Sequence, residues 1–274
     1  MNKNTANGIA LALLWIAAIL TVVVLGTVIL YVFVNGIGQL SPEFIFTWPE
    51  GVAAEGGIWP TIVSTLYVTA LAMIIVTPIA ILAAVYLAEY AVQGRLVSTI
   101  RFAADSLASV PSIVMGLFGL ALFVEAAGIG FSMLSAALAL SFLMLPIVMR
   151  TTEEAIRSVP KYIRWGSYGL GATKWQVVSR SVLPASMPRI ITGIILATGR
   201  AVGETAVVIY TMGQAINMPI TPFDSGRPMT VHLYLLAMEG INLPAAYGTA
   251  LLLMIMILAF NLGARYFLRR NRKV

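Results

Sequence analysis

The chain has 274 residues, 59% of them hydrophobic and only 10% charged, against about 25% charged in soluble domains. That surplus of apolar surface excludes a soluble globular enzyme and points to an all-α polytopic membrane protein; the short alternating strands of a transmembrane barrel are not found. The chain contains no cysteine, so disulfides, thiol catalysis and thiolate metal sites are excluded together.

A membrane-spanning helix needs roughly 20 mostly apolar residues, and such runs recur at 9–34, 60–88, 102–126, 129–149, 186–214 and 243–267. The first follows a single Lys3, as a signal peptide would. It outlasts the roughly 7–15-residue core of such a peptide, however, and "TVILYVFVNG" offers no small-residue cleavage site, so it is expected to remain. Charges then sort the connections. Residues 35–59 hold Glu43, Glu50 and Glu55 with no Lys or Arg, residues 89–101 hold Arg95 and Arg101, and the turn near Gly128 holds Glu125 alone. Residues 150–185 carry Arg150, Arg157, Lys161, Arg164, Lys174 and Arg180. Residues 215–242 have the lone basic Arg227, whereas the tail holds Arg265, Arg269, Arg270, Arg272 and Lys273. Excess Lys and Arg marks the cytoplasmic side, which places both termini and the second and fourth connections inside, with six transmembrane helices alternating. The net charge of +6 therefore follows from topology and calls for no nucleic-acid partner.

The fourth connection, "RTTEEAIRSVPKYIRWGSYGLGATKWQVVSRSVLP", is built like two short helices. Pro160 suits the first turn of one, and Gly169 and Gly171 end it. Thr173 with Gln176 forms a capping box for the next, whose Trp175, Val178 and Val182 share a face and which Pro184 closes. Such a pair either lies on the headgroups as an amphipathic hairpin or is held out as a lever for a cytoplasmic partner; the pattern leaves both open. "GLGATK" is not a phosphate loop, since it lacks the Gly-Lys-Ser/Thr ending and follows no strand. Any ATP is hydrolysed by another chain.

The fifth run, "IILATGRAVGETAVVIY", carries Arg200 and, one turn later, Glu204. A central arginine costs roughly 2.5–3.5 kcal/mol on insertion scales. Four residues apart on one helix, the two charges share a face and can neutralise each other, which would make them an ion pair joining helices. The alternative is an anion path, because a guanidinium fork suits an oxyanion. Phosphate keeps at least one proton at neutral pH, so its P–OH can donate to the Glu204 carboxylate, while a fully ionised dianion such as sulfate meets repulsion. Gly199 and Gly203 flank the pair and allow close helix approach, for packing or for gating. Thr198, Thr205 and Gln214 are candidates to line the path, although helical hydroxyls often bond their own backbone. Pro78, Pro111 and Pro146 interrupt spans two to four, where kinks can shape a cavity. His232 has no second ligand at metal spacing and reads as a loop histidine, and the 13 methionines are scattered as packing residues. No Gly-x-Ser-x-Gly elbow supports a hydrolase.

Three stretches resemble a known family. Permeases of ABC importers carry Glu-Ala-Ala, three residues, Gly, nine residues, an aliphatic, any residue and Leu-Pro. Setting their Gly on Gly171 places Leu-Pro on Leu183 and Pro184, Glu-Ala-Ala on Trp165, Gly166 and Ser167, and the aliphatic on Ser181. "ASVPSIVMGLFGLA" (108–121) and "TGRAVGETA" (198–206) are similar to the third- and fifth-span signatures of phosphate importer permeases, and "RPMTVHLYLLAMEG" is closer to the PstA-like type than to PstC.

That resemblance implies the type I ABC importer permease fold, as a single transmembrane permease domain over 1–274 with a cytoplasmic coupling loop at 160–184. It implies an ATP-driven importer of inorganic phosphate in a prokaryotic cytoplasmic membrane. The chain would pair with a homologous PstC-like permease, two PstB-like ATPases and an extracytoplasmic PstS-like phosphate-binding protein that docks on 35–59 and 215–242. It implies that this chain is not an enzyme and binds no cofactor, ATP and Mg residing on the ATPase. Gly166, Ser167, Gly171, Ala172, Thr173, Leu183 and Pro184 would meet the ATPase, and Arg200, Glu204, Thr205 and Thr198 would serve translocation. Another oxyanion as cargo, such as molybdate, tungstate or sulfate, and a phosphate-sensing role are the rival expectations.

Overall fold

A computed structural model describes residues 3–50, 55–92 and 94–271. Arg272 and Lys273 lie outside the described residues, as do the side chains of Lys3, Glu50, Glu55, Arg265, Arg269 and Arg270. Among the described residues five helical stretches are long and apolar enough to cross a membrane: Ala10–Gln39, Trp59–Tyr90, Met133–Arg157, Lys174–Val202 and Leu243–Gly263. A bent pair, Arg95–Ser109 with Ser112–Ala126, is apolar enough to make a sixth crossing if its two halves form one broken span.

Helix α1 (Lys3–Gly36) is followed by the short α2 (Pro42–Phe46) and by a two-residue ladder of β1 (Pro49–Glu50) with β2 (Glu55–Gly56). Ser41 caps α2 by accepting from the Phe44 N–H, which buries Phe44 beneath the connection. Helix α3 (Trp59–Val85) ends in a π turn, Tyr86–Tyr90, and packs along α6 (Met133–Arg157). Ala72, Val76, Ala80 and Ala84 of α3 recur every fourth residue and are fully or nearly fully buried. Small side chains at this spacing let two helices approach closely, and the Ser141 hydroxyl of α6 donates across the seam to the Ala72 carbonyl at 3.1 Å. Pro78 and Pro146 sit inside helices that continue through them.

The third run departs from expectation. Residues 102–126 are not one helix: α4 (Arg95–Ser109) and α5 (Ser112–Gly119, extended by a π segment to Ala126) meet at an angle of 100°. Val110 is extended, at φ −66° and ψ 129°, because the ring of Pro111 disfavours helical backbone in the residue before it. Of the three interrupting prolines, Pro111 alone sits at a break. Ion pairs bind α4 to the basic end of α6: Arg101 to Glu153 at 2.8 Å, and Arg150 to Asp105 at 3.0 Å.

The fifth run also breaks. Helix α9 (Leu183–Val202) stops one residue before Gly203, and α10 (Ala206–Thr211) resumes after Thr205. Upstream, α7 (Lys161–Gly169) leads to α8 (Lys174–Val177), which passes through a π segment, Val178–Val182, directly into α9. Pro184 therefore does not close that helix. It sits at the start of α9, directly after the π segment, whose irregular ladder accommodates a residue without an N–H. Beyond α10, the connection carries α11 (Met229–Met238), and α12 (Leu243–Asn271) returns along α1, α9 and α11.

Candidate substrate path and coupling surface

Arg200 lies in the last turn of α9 and Glu204 in the break after it. The expected shared helix face does not exist, because the helix ends between them, and no ion pair joins the two among the described residues. Glycine at 203 and β-branched Thr205 both weaken a helix, and the end tightens through short bonds from Gly203 N–H to Arg200 O and from Glu204 N–H to Ala201 O, each 3.2 Å. The Thr230 hydroxyl of α11 then donates to the Glu204 carbonyl at 3.1 Å, partnering a backbone group that the break leaves free of the helix ladder. Arg200 is exposed on the isolated chain and Glu204 is half-buried.

Beside the break opens a cavity of about 760 Å³. Thr205, Tyr210, Gln214, Thr230, Tyr234 and Phe131 are among its lining residues. The structure brings Thr205 and Gln214 to one space, whereas Arg200 and Glu204 are not among its lining residues. It does not bring Thr198 there: its hydroxyl bonds back to the Ile194 carbonyl at 2.8 Å. Gly199 faces α12, where a methyl group at 199 would stand 3.6 Å from the Asn261 amide nitrogen, which is a packing position. Tyr210, Thr230, Tyr234 and Asn261 are residues that spacing did not flag. Their only sequence signal is a polar group inside an apolar helix.

At the basic end the loop forms the two expected short helices, α7 and α8, joined at Gly171, the second running on into α9. Val177, Val178 and Val182 are buried with Val85, Ile156 and Val159 in one apolar cluster, so the unit is packed onto the ends of α3 and α6. Thr173 and Gln176 form the expected capping box. Gly171 has φ +81°, and its N–H reaches Tyr168 O while the Ala172 N–H reaches Ser167 O, the paired bonds of a glycine-terminated helix. Trp175 is not on the buried face; it is 63% exposed. With Tyr162, Trp165, Tyr168 and Leu170 it forms an outward apolar surface, Trp165 being 67% and Leu170 90% exposed. Gly166, Gly171, Thr173 and Pro184 are exposed as well, whereas Ser167, Ala172 and Leu183 are half-buried. Ser167 and Ser181, both departures from the importer pattern, meet through their hydroxyls at 2.9 Å.

His232 is not a loop histidine. It lies on α11, wholly buried, and neither ring nitrogen has a partner. Among the described residues no group of His, Cys, Asp or Glu is arranged to hold a metal.

The profile of the binding-protein-dependent transport system inner membrane component family matches residues 77–273. A Bacillus subtilis (strain 168) protein named probable ABC transporter permease YqgI is 34% identical, covering 97% of this chain and 96% of its own length. Phosphate transport system permease protein PstA 1 of Mycobacterium tuberculosis (strain H37Rv) is 37% identical over 82% of this chain and 74% of its own. The PstA protein of Pasteurella multocida (strain Pm70) is 31% identical over 99% and 97%. Among solved structures, a bacterial alginate ABC transporter bound to its periplasmic protein superposes with a TM-score of 0.74 at 16% identity, covering 99% of this chain and 98% of that one. The inward-facing MetNI methionine ABC transporter gives 0.63 at 19% identity over 78% and 94%; at these identities the likeness concerns the fold alone. The chain belongs to the binding-protein-dependent transport system inner membrane component family, as the non-catalytic permease of an ABC importer.

Proposed function

We propose that this permease is the PstA-like subunit of an ATP-driven phosphate importer, forming the translocation path with a homologous PstC-like chain. Two PstB-like ATPases would drive it and a PstS-like binding protein would load it. The observation that carries the reading is the break at 203–205. It leaves an exposed arginine and a half-buried carboxylate unpaired with each other, in the segment that leads into Thr205, which lines the cavity, and relatives named for phosphate transport share the chain. A bundle seeking only cohesion has no use for two unpaired intramembrane charges. The cavity's largely apolar wall argues for passage rather than tight storage of a hydrated anion. Arg200 attracts the oxyanion through its fork, and Glu204 accepts from the proton that phosphate retains. The outward apolar face of α7 and α8 is the surface on which an ATPase would push.

The test is uptake of labelled phosphate into proteoliposomes holding the whole complex, with sulfate and molybdate as competitors. Phosphate is expected to be carried and to stimulate ATP hydrolysis. Arg200→Ala should lower uptake by about 100-fold, the scale of losing a charged hydrogen bond, with the complex assembled, and adding Glu204→Ala should not restore it. Recovery in the double variant would return the pair to a structural role. Transport of sulfate or molybdate in preference to phosphate would shift the cargo to that oxyanion.

A further inference from the structure

Where the π turn closing α3 meets α7, one guanidinium stands among three elements. Arg164 Nε and Nη2 donate to Glu89 Oε1 at 3.1 and 2.6 Å, Nη1 donates to the Val159 carbonyl at 2.7 Å, and Nη2 also reaches the Ile156 carbonyl at 2.9 Å. Glu89 belongs to the π turn, Ile156 to the last turn of α6, and Arg164 to α7 itself. The two side chains are only 17% and 10% exposed. One residue further on, the Tyr90 ring lies under the Lys174 ammonium at 4.9 Å, so the start of α8 grips the same turn. The apolar cluster of Val85, Ile156, Val159, Val177, Val178 and Val182, with Ala88 and Ile163 packed against it, adjoins this junction.

Cohesion alone does not call for charges here, because well-packed aliphatic residues often serve as well as a buried ion pair or better. Aliphatic contacts lack direction. A planar fork with fixed donors sets the angle between the groups it holds, and here those groups belong to the cytoplasm-facing ends of two spans and to the loop helix. The π turn adds to this, since an extra residue in the helical turn re-aims the side chain that follows. We infer that Glu89 and Arg164 form a positioning joint that makes α7 move as one body with the ends of α3 and α6, so that displacement of the exposed aromatic face is delivered to the spans. This rests on the coupling surface proposed above.

The readout is phosphate imported per ATP hydrolysed by the full complex in proteoliposomes, for Arg164→Lys and for the double variant Glu89→Met/Arg164→Met. Lysine keeps the charge but, as a point donor, reaches fewer of the four acceptor contacts; the methionine pair strands no charge and keeps the cluster apolar. Both are expected to assemble and to hydrolyse ATP, while phosphate per ATP falls about tenfold in the methionine pair and less in Arg164→Lys, the span over which residues between sites modulate coupling. A merely structural role would leave that ratio at the wild-type value and show itself in yield or melting temperature. A wild-type ratio in the methionine pair overturns the joint, and if that variant does not assemble, a wild-type ratio in assembled Arg164→Lys does so. Gly171→Trp, run in parallel, separates the two readings. Uncoupling there with unchanged Arg164 variants removes the joint alone; no change in any of them removes the coupling surface as well.

Discussion

Thr230 and His232 lie two residues apart on α11 in opposite situations. The threonine hydroxyl has a clear task, holding the Glu204 carbonyl that the break in the fifth span sets free. The imidazole is buried with both nitrogens unpartnered, and burial, with the positive charge of Arg227 second, pushes its pKa down to about 4. An ordinary histidine titrates near 6.5, so this one folds neutral. The unfolded chain takes up a proton as pH drops through 6.5, whereas the folded chain resists until about 4. The stability tied to the neutral ring is therefore complete above pH 6.5 and is lost between 6.5 and 4, amounting to about 2 kcal/mol at pH 5. His232→Leu should remove that acid sensitivity without harming stability at pH 7.5, because an unpartnered buried polar group gives nothing up when replaced by an apolar one. Melting curves of the detergent-solubilised protein at both pH values check this. An identical acid slope in both proteins would remove His232 as its source.

At the scale of elements, what was legible in the sequence was what is local. The capping box of Thr173 and Gln176 closes within four residues, and Gly171 ends α7 in the left-handed conformation that its neighbours' carbonyls demand. The break at Gly203 was not legible, because it is completed by Thr230 from another helix, and helical spacing alone made Arg200 and Glu204 look paired. Glu89 and Arg164 are 75 residues apart, so no local pattern joined them, and Arg164 read only as one more basic loop residue. Trp175 followed the periodicity of Val178 and Val182, yet Val177 shares their buried cluster, and a residue two positions back, about 200° round the helix, falls outside it. Gly171 allows a test of the loop that separates shape from bulk. A side chain there meets nothing within 4 Å, but at positive φ any non-glycine costs about 1 kcal/mol. Gly171→Ala should carry that strain alone and leave most uptake intact. Gly171→Trp adds bulk on the outward surface and should strip the ATPases from the complex or uncouple them. Equal, small effects of both on uptake and on ATPase retention would show that nothing docks there.

Considered whole, the molecule has two unlike ends. At one end Glu89 and Arg164 join the π turn of α3 to α7 and Arg101 and Glu153 join α4 to α6, with Arg157 holding Glu153 from within α6. At the other, backbone hydrogen bonds sew the connections together: Met133 N–H to the Asp224 carbonyl, Leu134 N–H to that of Pro222, and Ile58 N–H to that of Phe44. The ion-paired end also carries the basic loop, and lysine and arginine are retained on the cytoplasmic side during insertion. The sewn end holds the short α2 with exposed Glu43. The chain has no cysteine, so one introduced thiol at a time reports sidedness without background. Glu43→Cys should react with a membrane-impermeant maleimide in intact spheroplasts. Lys161→Cys, exposed at the start of α7, should react only after the membrane is opened. An even number of crossings between them would give both the same exposure, and three crossings (α3, the α4–α5 pair and α6) give opposite ones. Labelling of both thiols from one side would therefore mean that the bent α4–α5 pair enters and leaves by the same face, turning the six-span arrangement into five spans with a re-entrant loop.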